Sequence, residues 1–186
     1  MTDTEKLEYF KNELDLIQNP EVRDFTAQAL LFAPEYFWVN PSSSSGKYHP
    51  PQSQGIGGLR RHTRAVVYFS TIFIRAFDCE QWNDEIISAA ILHDIMKYGL
   101  TAGAKHTVKD HAFMVTDVLK QTWKIKKIDK EVAKRIDSAI KFHMGRWSSP
   151  EDKRKPLDEY HIIELIVHLA DMASSGKRTR IEGNDD

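Results

Sequence analysis

The stretch "LRRHTRAVVYFSTIFIRAF" at residues 59 to 77 constrains the fold more than any other. Its apolar residues recur at helical spacing and cover much of the circumference. That pattern predicts a long, central helix, because such a surface has to be buried by neighbours on several sides.

The remainder of the chain reads as those neighbours. Residues 4 to 17 place Leu7, Phe10, Leu14 and Ile17 on one helix face. Asn19 is an N-cap candidate with Pro20 at the first helical position, and Val22, Phe25, Ala29 and Phe32 continue the apolar stripe. Asn83 can cap a helix through "DEIISAAILHDI", and Thr107 can open another through "VKDHAFMVTDVLKQTW". Residues 130 to 142 carry Val132, Ile136, Ala139 and Ile140 in register, and "YHIIELIVHLADMAS" predicts a last helix. No strand pair and no internal repeat is legible. The expectation is an all-α fold of about six to eight helices in one domain over residues 1 to 176. Residues 1 to 40 would pack on it as N-terminal helices, and 177 to 186 form a polar tail.

Length and charge narrow the function classes. A chain of 186 residues is long enough to bury about two-thirds of its unfolded surface. Its 26 Lys and Arg nearly balance 27 Asp and Glu, so no global pull toward nucleic acid or membrane follows. No apolar run reaches the about 20 residues needed to span a bilayer, and no leader segment is legible at the N-terminus. Cys79 is the single cysteine, which excludes an intrachain disulfide and suits a reducing cytoplasm. Without a histidine nearby in sequence, Cys79 is also an unsupported nucleophile. "SGKY" resembles the end of a phosphate-binding loop, but Pro41 stands where that loop needs glycine.

The chemistry lies in the histidines. His93 and Asp94 adjoin near the end of an apolar helix, where a polar pair is costly unless satisfied. His62, His111, His143 and Asp171 occupy four further helices. Each alone reads as a satisfied core or boundary residue. Together they are a set of N and O donors that can fill two metal shells, with Asp94 able to bridge two ions. His161, Glu164 and His168 share a face of the last helix and are a second metal candidate. The alternative is a solvated His161 and a His168 that supports Asp171.

The ordered set His62, His93-Asp94 and Asp171 resembles the signature of the HD superfamily of metal-dependent phosphohydrolases, over about residues 55 to 175. The resemblance implies divalent metal ions, one or two, of the Mn, Fe, Co, Ni, Zn or Mg kind. It places His62, His93, Asp94 and Asp171 around one ion, with Asp94, His111 and His143 around the other. It implies hydrolysis of phosphoester or phosphoanhydride bonds by metal-activated water, with Asp94 and Lys97 as catalytic residues and Lys97 near the phosphate. Lys47, His49, Arg61 and Arg146 are substrate-side candidates, and Tyr48, Trp38 and Trp147 are candidates to stack on a base.

The segment "SSSSGKYHPPQSQGIGGLRRHT" resembles the one ahead of the first metal histidine in bacterial 3′–5′ exoribonucleases of the superfamily. That implies a single-stranded RNA or DNA substrate cut from its 3′ end. Only two helices precede the segment, whereas those enzymes carry a nucleic-acid-binding domain. The superfamily also holds small nucleotide hydrolases, including phage enzymes acting on deoxynucleoside triphosphates, which this length suits equally. A nucleotide-sensing module without turnover is the alternative of another class. Residues 41 to 58 are therefore expected to form an active-site wall rather than a linker. The apolar N-terminal helices offer a face for a homo-oligomer.

Overall fold

The structure is a computed structural model that describes residues 1–43, 49–100, 106–148, 151–179 and 181. Among the described residues there are nine α-helices and no strand. They are α1 (Asp3–Tyr9), α2 (Lys11–Leu14), α3 (Pro20–Leu31), α4 (Glu35–Val39), α5 (Gly58–Ala76), α6 (Asn83–Leu92), α7 (His111–Ile125), α8 (Lys130–Phe142) and α9 (Ile162–Ser174). The fold is all-α, as expected. The count exceeds six to eight because the first expected helix is broken and because the aromatic segment at α4 is itself helical.

The break falls at Phe10, whose backbone leaves the helical region at φ −101° and ψ 14°. Turning there lets Phe10 bury completely against Phe37 and Trp38, with ring centroids 6.1 and 5.9 Å away. Tertiary packing outweighs the local period. α3 starts as its sequence dictates. Asn19 Oδ1 accepts from the Glu21 and Val22 amides, with Pro20 at the first position. Phe32 is an exposed C-cap, not part of the buried stripe, and Leu30 fills the core instead.

Two expected caps have other roles. Asn83 is the first residue of α6 and donates its side-chain amide to the Leu16 carbonyl, 2.8 Å away. Asp84 beside it accepts from the backbone amides of Gln18 and Asn19, which ties the entry of α3 to α6. α7 starts after Asp110, not Thr107, and Asp110 makes no side-chain cap bond among the described residues.

The deepest element is α6 rather than α5. Ile86, Ile87, Ala89, Ala90, Ile91 and Leu92 are all fully buried. α5 packs along α9 and α6, buries Leu59, His62 and Val66, and leaves Tyr68 and Ile72 about half exposed. The N-terminal helices join the same core through Phe10, Leu14, Ile17, Val22 and Phe25. No helix among the described residues is long and apolar enough to cross a membrane.

The described part of segment 41–58 is stitched to the body. Ser42 donates its amide and its hydroxyl to the Ser53 carbonyl, at 2.9 and 2.6 Å. The Gly57 and Leu59 amides donate to the Val39 and Asn40 carbonyls. Gly58 is where loop and helix touch most closely. A Cβ there would lie 2.3 Å from the Ser53 oxygen and 3.0 Å from the Pro41 Cα. Gly58→Ala should therefore force the loop off α5 and cost about 1–3 kcal/mol, the usual overpacking range. Gly55→Ala meets nothing within 4 Å and faces only its positive φ of 71°. Thermal melts should show Gly58→Ala to be the more damaging change.

Candidate metal centre

Three of the four histidines sit where helices begin or end. His93 and His143 are the C-cap residues of α6 and α8, and His111 opens α7. Each ring returns its Nδ1 to the carbonyl three residues earlier: His93 to Ala90 at 2.7 Å, His111 to Val108 at 2.6 Å, His143 to Ile140 at 2.7 Å. A carbonyl only accepts, so each Nδ1 carries the proton. Near helix C-termini carbonyls run short of helical partners, so at His93 and His143 one bond serves both the backbone and the ring.

His62, inside α5, reaches the same state by another route. The Ser174 hydroxyl donates to the Asp171 carbonyl at 2.8 Å. Its single hydrogen is thereby used, so Ser174 Oγ accepts from His62 Nδ1, 3.2 Å away. In all four rings Nδ1 is thus the donor to its partner, which leaves Nε2 as the ring atom that can face a metal, and all four Nε2 atoms converge on Asp94.

Asp94 is almost completely buried and divides its two oxygens between the rings. Oδ2 faces His62 Nε2 at 3.5 Å and His93 Nε2 at 3.4 Å. Oδ1 faces His111 Nε2 at 2.9 Å and His143 Nε2 at 3.7 Å. Asp171 Oδ1 comes from α9 to 3.1 Å from His62 Nε2 and 4.0 Å from His93 Nε2. Lys97 Nζ donates to Asp94 Oδ2 at 2.5 Å. Two donor groups result, His62–His93–Asp94 and Asp94–His111–His143, joined through the Asp94 carboxylate.

This donor set fits divalent cations. The Nε2 atoms of His62, His93 and His111 and the Oδ1 of Asp94 are buried without a hydrogen-bond partner. Such atoms cost about 1–3 kcal/mol each when left so. An imidazole lone pair on Nε2 opposed to a carboxylate oxygen is repelled by it, and a cation between the two would turn each contact into a bond.

The electrostatics agree. Burial alone would raise the Asp94 carboxyl, but the Lys97 ammonium and the surrounding imidazoles hold it well below the usual carboxylate range. Asp171 is likewise held low, against the effect of its burial, by the facing His62 with His93 and His143 beyond it. Burial, reinforced by His93, pushes His143 down to about 3, so its ring is neutral and available as a ligand near pH 7. Burial would lower Lys97 too, but the Asp94 and Asp171 charges outweigh it and keep the ammonium charged.

A cavity of about 540 Å³ opens over the cluster, with Asp94, Lys97, His111, His143 and Asp171 in its wall. His49 lines it as well, its ring centroid 4.8 Å from that of His62 and its Nδ1 3.4 Å from Ser175 Oγ. Burial and the neighbouring His62 and Lys97 push His49 down to about 2, so it is neutral.

The other substrate-side candidates lie elsewhere. Lys47 and Tyr48 fall outside the described residues. Trp38 is buried against Phe10 and Phe37 and offers no face to a base. Arg61 turns from the cavity and donates to the Gln52 and Gln54 carbonyls, at 2.7 and 2.9 Å, so it holds the loop rather than a substrate. Arg146 lies over the Trp147 ring and lines an adjoining cavity. Trp147 itself is half exposed in the wall of the main one.

His161, Glu164 and His168 make no separate centre. His161 and Glu164 form the capping box of α9, and Glu164 also accepts from Ser138 and Lys155. His168 bonds through Nδ1 to the His143 carbonyl, 2.6 Å away, and so steadies the turn that carries His143. The residue that sequence reasoning missed is Ser174. Its place one turn after Asp171 on the same helix was the available signal.

A family model described as HD domain matches residues 59–175 of the chain. No curated protein and no solved structure matches it.

The shared carboxylate makes the two donor groups unequal to mutation. Elemental analysis after loading with Mn²⁺ or Co²⁺ should give about two ions per chain in the native protein, about one in His111→Ala and essentially none in Asp94→Ala. Chelation of the loaded native protein should lower its melting temperature, since metal at 1,000-fold above Kd adds about 4 kcal/mol.

Proposed function

Because the chain belongs to the HD domain family, we propose that it is a metal-dependent phosphohydrolase acting on phosphoester or phosphoanhydride bonds of free nucleotides. One observation carries the reading. A single buried carboxylate is flanked by four inward Nε2 atoms and a lysine, at the wall of a cavity of small-molecule size. His62, His93, Asp94 and Asp171 would hold one ion and Asp94, His111 and His143 the other. Such ions supply Lewis acidity, which makes water nucleophilic near neutral pH and offsets charge on phosphoryl oxygens.

The remaining side chains bind and orient. Lys97 spends one of its three donors on Asp94 and keeps the others for a phosphate oxygen in the cavity. Neutral His49, on the wall formed by segment 41–58, offers hydrogen bonds to the substrate without adding charge. The Asp94 contact positions the Lys97 ammonium before substrate arrives, so little reorganisation is needed at the reacting group.

Free nucleotides are favoured over a polymer by the cavity of about 540 Å³ and by the balance of 26 basic against 27 acidic residues. A sensing module without turnover is disfavoured because each expected ligand position carries a ligating residue.

A panel of nucleotides should be incubated with Mn²⁺, Co²⁺, Mg²⁺ or Ni²⁺ and resolved by chromatography. A 3′-labelled and a 5′-labelled single-stranded oligonucleotide should be run beside it on a gel. Nucleotide hydrolysis is expected with at least one metal and should vanish in Asp94→Ala. Lys97→Met should lower kcat/KM by about 10²-fold, the scale of losing one preorganised donor. Shortening of the oligonucleotide from its 3′ end with nucleotides left intact would replace the substrate with a polymer. Absence of both bound metal and turnover would sink the enzyme reading.

A further inference from the structure

A second cavity of about 500 Å³ adjoins the one over the metal centre, and the two share Trp147, His168 and Met172 in their walls. Its charged lining is one-sided. Arg146, Arg154 and Lys155 face it, and no carboxylate among the described residues does. Two of these cations are held in place. Arg154 Nε donates to the Ser148 carbonyl at 2.7 Å, and Lys155 Nζ to Glu164 Oε2 at 2.7 Å. Arg146 has no carboxylate partner among the described residues and lies over the Trp147 ring, 4.6 Å from its centroid.

The position of Arg146 relative to the metal centre is built, not incidental. It follows His143 by three residues, across Gly145 at φ +54°. A Cβ on Gly145 would lie 2.7 Å from His168 Cε1, so only glycine lets this turn close onto His168. His168 in turn bonds the His143 carbonyl. The ligand-bearing end of α8, the wall between the cavities and the arginine thus form one unit.

We propose that the second cavity is a subsite for a further phosphate group of the substrate. The phosphate to be cut would sit by Lys97 and the histidines, and another by Arg146, Arg154 and Lys155, with the half-exposed Trp147 between them. This rests on the phosphohydrolase reading. Arg154 is also paired with Glu151, 3.3 Å away, and Lys155 with Glu164, so Arg146 is the cation that a second phosphate would engage first. The subsite narrows the substrate to one with at least two phosphates, against a nucleoside monophosphate, which would leave Arg146 without an anion. Two sources share that chemistry, a nucleoside polyphosphate and a short 5′-phosphorylated oligonucleotide.

The test uses Arg146→Ala, a change at a side chain whose described contact is a ring stack, with thermal melting to verify that it folds. Calorimetry on the metal-free chain should measure inorganic tripolyphosphate beside orthophosphate. Loss of one charged donor should weaken tripolyphosphate binding by about tenfold or more and leave orthophosphate unchanged. With metal present, KM should rise by a similar factor for a deoxynucleoside triphosphate or for a 5′-phosphorylated dinucleotide, whichever is the substrate, and stay level for a nucleoside monophosphate. Unchanged tripolyphosphate binding, or an equal loss for both anions, overturns the subsite. If the native chain hydrolyses none of the three substrates, the hydrolase reading fails, and tripolyphosphate binding still decides the subsite.

Discussion

Burying the Asp94 carboxylate is the constraint around which the molecule is arranged. An ionised acid in that position is expensive unless every side supplies compensation. Lys97 gives a charge-assisted bond from one turn along the chain, and four imidazoles arriving from α5, α7 and the ends of α6 and α8 offer donor atoms for the cations that would complete it. None of these groups is adjacent to another in sequence apart from His93. Bringing them together requires α6 at the centre of the bundle, with α5, α8 and α9 packed around it. The hydrophobic core and the polar cluster therefore determine each other. The same helices that bury Ile87 and Ile91 also aim their terminal histidines at one point.

That coupling explains what could be read in advance. Helix α8 has the boundaries its periodicity predicts and α5 lies within one residue of them, because their apolar stripes match what the core requires. The histidines stood out because imidazole on an otherwise apolar surface needs a partner. What escaped reading depends on contacts between distant segments. Phe10 breaks a periodic helix to meet Trp38, and Asn83 gives up a cap to bond Leu16. Trp38 read equally well as a stacking platform or as core, and only its neighbours in space decide the matter. The same is true of Arg61, whose guanidinium is claimed by loop carbonyls that no local pattern places beside it.

The serine- and glycine-rich segment ahead of α5 shows how composition and role can separate. Its make-up suits a slack tether, yet its described part is bonded to α4, to α5 and to the C-terminal end of the chain. Gln52 pairs with Ile181 in both directions, amide to carbonyl and side-chain oxygen to amide. Arg61 on α5 fastens the same turn. Small residues here permit close approach, as at Gly58, and so serve rigidity where they would ordinarily serve freedom. His49 takes its position against His62 from that framework.

The bond sequence from His62 through Ser174 to the Asp171 carbonyl runs in one direction only. The ring gives a proton to a hydroxyl, and the hydroxyl gives its own to the main chain of the residue whose side chain faces the same ring. Helix α9 thus faces both nitrogens of His62 from positions three residues apart. An insertion or deletion between 171 and 174 would rotate one grip away from the other by about 100° per residue. Over generations of sequence drift, that interval has as little room to change length as the His-Asp pair has to change letters, although its second member is an ordinary serine.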